Sequence, residues 1–253
     1  MNPAERREEI KNILAARDQA EVKELAEEFQ VSEMTIRRDL NKLEDNNLII
    51  RTRGGAIRKN IINDEVPFNT KKIKNKKLKD QISKKAEKLV NPNDTIFLDA
   101  GTTTFSLAKQ LKCMEATIIT NDIYIMLELH KCPSIELICV GGKIQNKVGS
   151  IVGSEAVDFI NSVYVDISFI GANSISYDNL NLSTPTLEKV SLKNEIISAA
   201  TKSVLLADRT KLGRKSPYKI CQLSSFDVFI VDEEIDDETL QYIRSNTSDL
   251  EIL

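Results

Sequence analysis

Between residues 95 and 231, six short apolar runs alternate with stretches of helical period, and this alternation is the strongest constraint on how the chain can fold. The runs are 95–99, 117–120, 135–140, 165–170, 203–207 and 228–231. Helical stretches lie between most of them, at 104–111, 123–130, 154–161 and 185–201. Parallel strands need long crossovers, and helices of this length supply them. The expected fold class is therefore α/β with a largely parallel sheet. Ligands of such sheets bind beyond the carboxyl ends of the strands.

Those ends carry small and polar residues. The first run passes through Asp99-Ala100-Gly101-Thr102-Thr103-Thr104 directly into a helix. Glycine lets a backbone approach an anion, threonine hydroxyls donate, and a helix N-terminus offers free N–H groups. The same residues also read as a well-capped turn, and no GxxxxGK[ST] loop is present. Thr120-Asn121, Gly141-Gly142 and Gly171-Ala172-Asn173 stand at the next three ends. Glu188 and Lys193 follow on a helix, as surface charges or as ligand contacts, and Asp208 to Lys211 follows the fifth run. As a set, Asp99, Gly101, Thr102, Thr103, Thr120, Asn121, Gly141, Gly142, Gly171, Asn173, Glu188, Lys193, Asp208 and Lys211 describe a pocket for a polar ligand.

The first 60 residues have a different pattern. Three helices are predicted at 3–16, 21–29 and 33–46, with Asn2 and Ser32 as N-caps of the first and third. The second and third are joined by Gln30-Val31-Ser32, the spacing of a helix-turn-helix. Ile36, Leu40 and Leu43 make the buried stripe of the third helix. Met34, Arg38 and Asn41 lie opposite it, with Thr35 and Arg37 on its shoulders. Such a face suits a major groove: arginine donates to guanine or phosphate, and asparagine reads adenine. Residues 48–57 read as two short strands around a turn at Asn46-Asn47 or Gly54-Gly55. That hairpin would be a wing, with Arg51, Arg53 and Arg58 reaching flanking phosphates.

These residues carry a resemblance. Arg6-x3-Ile10-x3-Leu14, then 17 residues, then Ser32-x2-Thr35-Ile36-Arg37-Arg38-Asp39-Leu40 resembles the DeoR-family helix-turn-helix signature at every position. Arg51-Thr52-Arg53-Gly54-Gly55-Ala56 is similar to that family's wing, with Arg53 where the family more often has His. The strand-end set resembles the family's sensor domain. The resemblance implies an N-terminal winged helix-turn-helix domain followed by a Rossmann-like domain similar to ribose-5-phosphate isomerase. It also implies a transcriptional repressor of a carbohydrate uptake or catabolism operon, controlled by a phosphorylated sugar. Its expected partners are double-stranded operator DNA, the sugar effector and further copies of itself, as a homodimer or homotetramer. The expected DNA contacts are Ser32, Met34, Thr35, Arg37, Arg38, Asn41, Arg51 and Arg53.

Charge and composition fit this division. Residues 71–88 hold nine lysines against Asp80 and Glu87, while the net charge of the whole chain is −3. The lysine run reads as a polyanion contact or, more simply, as the solvated face of a helix carrying Ile73, Leu78, Ile82, Ala86 and Leu89. With 41% hydrophobic and 29% charged residues the chain can bury a real core. No apolar run is long enough to span a membrane, and charged residues from Glu5 to Glu9 argue against a leader, so a cytoplasmic protein is expected. The four cysteines, without CxxC spacing, read as reduced core thiols. A single histidine, His130, argues against His-based zinc or Ser-His-Asp chemistry. No cofactor or metal is expected.

The other reading is a sugar-phosphate isomerase with an accessory DNA-binding module, using Asp99, Glu188 or Asp208 as base. It leaves the recognition helix and wing unexplained, so the chain is expected not to be an enzyme. The expected domains are 1–57 for DNA, 58–75 as linker, and 76–253 for sensing and oligomerisation.

Overall fold

The computed structural model describes residues 2–17, 19–45, 48–52, 54–58 and 65–253, with the side chains of all but residues 15, 16, 50, 57 and 58. The chain divides into two compact units, Met1–Asn60 and Ile61–Leu253.

The first unit contains α1 (Pro3–Arg17), β1 (Gln19–Glu21), α2 (Val22–Glu28), α3 (Glu33–Asp45), β2 (Ile49–Arg51) and β3 (Gly55–Arg58). Asn2 Oδ1 accepts the Ala4 and Glu5 N–H groups at 2.9 Å, and Ser32 Oγ accepts that of Thr35 at 3.2 Å. These bonds satisfy donors that a helix start leaves unpaired. Ile10, Leu14, Leu25, Ile36 and Leu40 bury their apolar stripes against one another. A buried ion pair fixes the outer helices: Asp39 on α3 accepts from Arg6 Nε at 2.6 Å and from Arg7 at 3.1 Å.

The strand β1 was not anticipated, because three residues between two helices carry no period. It pairs antiparallel with β3, giving the sheet order β1-β3-β2. This pairing explains Gly55, where an added Cβ would sit 2.1 Å from the Ala20 carbonyl oxygen. Between β2 and β3, Thr52 N–H donates to Gly55 O at 3.1 Å. The turn expected at Asn46-Asn47 and the contact expected of Arg53 lie outside the described residues, as does the side chain of Arg58.

In the second unit, α4 (Phe68–Ile73) and α5 (Lys76–Glu87) precede β4 (Thr95–Leu98), α6 (Thr102–Gln110), β5 (Ala116–Thr120), α7 (Ile123–Leu129) and β6 (Ile135–Cys139). A hairpin, β7 (Lys143–Gln145) and β8 (Ser150–Val152), leads to α8 (Ser154–Ile160) and β9 (Val165–Gly171). Then come β10 (Ser174–Ile175), β11 (Asn181–Thr184), α9 (Glu188–Ser198), β12 (Ala200–Leu206), β13 (Tyr218–Gln222), β14 (Val228–Ile230), α10 (Asp237–Asn246) and β15 (Glu251–Ile252).

Seven strands form one parallel sheet in the order β15-β14-β12-β9-β4-β5-β6. Both faces are covered. Ile96 and Leu98 of β4 point into one core with Ile167 and Phe169, while Phe97 points into the other with Ile170 and Leu205. This is the expected class, with a small antiparallel sheet, β10-β11-β13, added beside it.

Three sequence readings change. Segment 58–75, expected as linker, contains α4 within the second unit, and its Phe68 is buried against Phe105 and Tyr124. A single buried aromatic in a polar stretch gives no period to read. The lysine-rich stretch is two helices, broken at Lys74-Asn75, with Asn75 at φ 54°. The break takes Ile73 out of the apolar stripe, and it is 79% exposed. The cysteines are free but are not core residues: Cys113 and Cys139 are exposed, and Cys132 and Cys221 half-buried.

Candidate functional site

The sheet order decides where a ligand goes. From β4 the chain builds outward through β5 and β6, then returns with β9 to the other side of β4 and builds outward again. The loops after β4 and β9 therefore part in opposite directions and leave a crevice at their carboxyl ends. One cleft there is lined by residues 100–103 after β4, residues 171–173 after β9, and five lysines, Lys71, Lys79, Lys189, Lys193 and Lys211.

The cleft floor is a buried ion pair. Lys193 is bound to a carboxylate oxygen of Asp99, which also accepts the Gly171 N–H at 3.2 Å. Lys193 Nζ donates a second bond to Gly171 O at 2.9 Å. Neither end is more than 4% exposed, so the pair is a fixed part of the fold. The residues at 101 and 171 are glycine without strain to explain them. Gly101 is extended at φ 172°, and a Cβ on Gly171 would meet nothing within 4 Å. A Cβ on Gly101 would come within 3.2 Å of Thr104 Oγ1, and Gly101 leads into the first turn of α6, whose N–H groups have no partner within the helix.

The rim is held from several elements. Asn75 Nδ2, at the break between α4 and α5, donates to Asp208 Oδ1 at 3.2 Å and to Thr210 Oγ1 at 3.1 Å. This brings Lys71 and Lys79 to the loop that carries Lys211. Lys79 Nζ donates to the carbonyl oxygens of Lys71 and Lys74, the latter at 2.5 Å. Burial, and the charge of Lys211 beside it, push the Lys79 ammonium down to about 8. Burial also lowers Lys189 and Lys211, although Glu65 and Asp208 respectively pull them back up. A cluster of cations held below their usual values gains from an anion placed among them.

The residues expected from sequence are sorted by this geometry. Gly101, Thr102, Thr103, Gly171, Asn173, Lys193 and Lys211 line the cleft, and Asp99 lies under it. Thr120 and Asn121 are wholly buried and spend their side chains on the fold. Thr120 Oγ1 donates to Leu98 O at 2.7 Å, and Asn121 joins Ala100 N–H to Ile151 O. Asp208 is tied to Asn75 and Thr210. Gly141 and Gly142 do not line this cleft. Gly142 has φ 139°, and a Cβ there would meet Val152 O at 2.7 Å, so packing explains it. Glu188 is exposed and outside the cleft. Lys193 is five positions beyond Glu188, about 140° around a helix, whereas Lys189 at i−4 shares the face of Lys193. That spacing was the signal for Lys189. Lys71 and Lys79 were absorbed into the solvated-face reading of a lysine run whose members 72, 74, 76, 77, 84 and 88 are indeed exposed.

Behind the cleft, Asp122 caps α7 through the N–H groups of Tyr124 and Ile125, and accepts Gly101 N–H at 3.0 Å. Burial drives its carboxyl up to about 6 against those three bonds.

The first unit presents a second surface. Ser32, Met34, Arg37, Arg38 and Asn41 are exposed on one side of α3, and Thr35 is half-buried. Arg37 pairs with Glu33 at 3.2 Å, whereas Arg38 makes no ion pair among the described residues. Asn41 and Arg51 are not free. Arg51 donates to Asn41 Oδ1 at 2.5 Å, to Arg37 O at 3.3 Å and to Gly55 O at 3.2 Å. Arg51 thus ties the wing to α3, and Asn41 has committed the oxygen that adenine readout needs.

Among the described residues no group of three or more His, Cys, Asp and Glu could hold a metal ion. Among the described residues no helix is long and apolar enough to cross a membrane.

Comparison with known proteins agrees with this division. Residues 6–61 match the family model for the DeoR-like helix-turn-helix domain, and residues 74–233 that for the DeoR C terminal sensor domain. The HTH-type transcriptional regulator GlpR of Haloferax volcanii is 32% identical over 247 residues, covering 97% of this chain and 96% of its own. The lactose phosphotransferase system repressor of Lactococcus lactis subsp. lactis is 31% identical, covering 98% of each chain. Among solved structures, ribose 5-phosphate isomerase A of Methanocaldococcus jannaschii matches 55% of each chain with a TM-score of 0.41 and 21% identity.

Proposed function

The chain belongs to the DeoR family of helix-turn-helix transcriptional regulators, and from that premise we propose that it represses a carbohydrate operon under the control of a phosphorylated sugar. The observation that carries the proposal is the five-lysine cleft at the parting of β4 and β9. A phosphate on the first turn of α6 would accept N–H groups and the hydroxyls of Thr102 and Thr103, with the lysines supplying charge. Sugar hydroxyls would find Asn173 close by. Such a protein works in the cytoplasm, where operator DNA is.

On DNA, α3 would enter the major groove with Arg38 and Met34 toward the bases, and Arg51 would hold the wing in place. One such module covers one half-site, so we propose a dimer or tetramer on a repeated site. The sugar acts only if it binds the DNA-competent and incompetent forms unequally.

The test is fluorescence anisotropy on DNA from upstream of the protein's own gene, with sugar phosphates and their unphosphorylated parents added in turn. One sugar phosphate should change the affinity while its parent does not. A parent sugar acting as strongly as its phosphate would overturn the effector half of the proposal. Absence of any sequence-specific binding would overturn the operator half.

A further inference from the structure

The cleft already contains an anion of its own, and that anion belongs to the segment that follows the DNA-binding unit. Glu65 lies just past the division between the units at Asn60 and Ile61. One of its carboxylate oxygens is bound to Lys189 and the other lies 3.3 Å from Lys71. Both lysines line the cleft. The Glu65 and Lys189 side chains are 5% and 7% exposed, so this is a buried pair. Three residues on, Phe68 anchors the same segment: its N–H donates to Lys147 O at 3.0 Å, and its ring stacks on Tyr124 at 3.7 Å.

We propose that Glu65 is the cleft's resident competitor, holding Lys189 and Lys71 until a doubly charged phosphate takes them from it. The inference rests on the effector reading above and adds two things to it. The first is specificity. Removing one partner of a buried pair leaves a buried charge unpaired, which is costly. A neutral sugar gives Lys189 nothing in exchange and cannot displace Glu65. A phosphate carries nearly two charges near neutral pH and also meets the start of α6, so it can. The second is coupling. Once Lys189 and Lys71 turn to the phosphate, Glu65 loses its bonds to them, and with them go two of the holds on the segment that follows the DNA-binding unit. Ligand binding and the state of that segment then share one residue.

The experiment compares the full-length wild type with Glu65→Gln and Lys189→Gln, using inorganic phosphate as the probe in calorimetric titrations. Glu65→Gln should bind phosphate about tenfold more tightly, a change of about 1.4 kcal/mol, and Lys189→Gln more weakly than wild type. Phosphate should also raise the melting temperature of Glu65→Gln more than that of wild type. Should Glu65→Gln fail to fold, Glu65→Asp keeps the charge on a shorter arm and should still bind phosphate more tightly. In operator anisotropy without ligand, Glu65→Gln should shift toward the affinity of effector-saturated wild type, whichever direction that is. Unchanged or weaker phosphate binding by the Glu65 variants, with wild type binding normally, overturns this inference alone. Failure of wild type and all variants to bind phosphate overturns the effector reading and this inference with it. Tighter phosphate binding with unaltered operator affinity overturns the coupling and leaves the competition standing.

Discussion

Both units present cations where phosphate is expected, yet they hold them in opposite ways. Arg38 stands exposed on α3 with no ion-pair partner among the described residues. Lys193 is 3% exposed and bound to Asp99 and to Gly171 O. An exposed cation costs the fold little and meets a long polyanion by releasing counterions, so its contribution is salt-sensitive. A buried cation must be neutralised before any ligand arrives, and it is then oriented in advance and poorly screened. The difference teaches that the same charge can stand apart from the fold in one unit and be built into its stability in the other.

The largest effect that could break this comparison is on stability. Lys193→Met should destabilise the second unit by about 3–5 kcal/mol by stranding Asp99, whereas Arg38→Ala should stay within about 0.5 kcal/mol of wild type. Denaturant melts of both variants would show it, and equal stability would mean that the buried pair is not structural. A middle-sized effect concerns DNA. Arg38→Ala should cost about 1–3 kcal/mol of operator affinity and leave phosphate binding unaltered. Parallel loss of both would contradict the division of labour.

The smallest effect is in pH. Lys79 holds its proton only up to about 8. Phosphate affinity should therefore decline as pH rises through that value, because the neutral amine no longer attracts an anion. The arginines of α3 remain charged throughout, so operator affinity in the absence of effector should stay level over the same range. Binding curves for both ligands across that window would sharpen the comparison, and a level phosphate curve would remove Lys79 from the site. The sign for stability is separate. A lysine whose folded value is lowered binds fewer protons in the native state, so its penalty shrinks as pH rises from about 8 toward the ordinary lysine value of 10.5.

The legibility of the sequence follows the same line. The exposed face of α3 could be read residue by residue because a helix face announces itself by period: Met34, Arg38 and Asn41 fall opposite Ile36, Leu40 and Leu43. What was missed there is a cross-element bond, Arg51 to Asn41, which no spacing within one element reveals. The parallel sheet was legible in its strands, since each apolar run became one. Its order was not, because pairing in space is set by packing. The cleft was legible where glycine and threonine end a strand, at Gly101, Thr102 and Gly171. It was illegible at Lys71 and Lys79, because a buried lysine and a solvated one look alike in a lysine-rich sequence. Thr120 and Asn121 resembled ligand contacts because small polar residues at strand ends serve equally well as internal braces.

The insertion of β9 between β4 and β12 bears on how the protein is made. Strand β4 pairs on one side with β5, which follows at once, and on the other with β9, about 70 residues further along the chain. Local pairings form early, and those that close long loops form late. A ribosome releases the N-terminal unit first, then the β4-β5-β6 half with one edge of β4 uncovered. Neither Gly171 nor Lys193 is yet in place at that stage. A growing chain thus acquires its helix-turn-helix unit well before the cleft between β4 and β9 can exist.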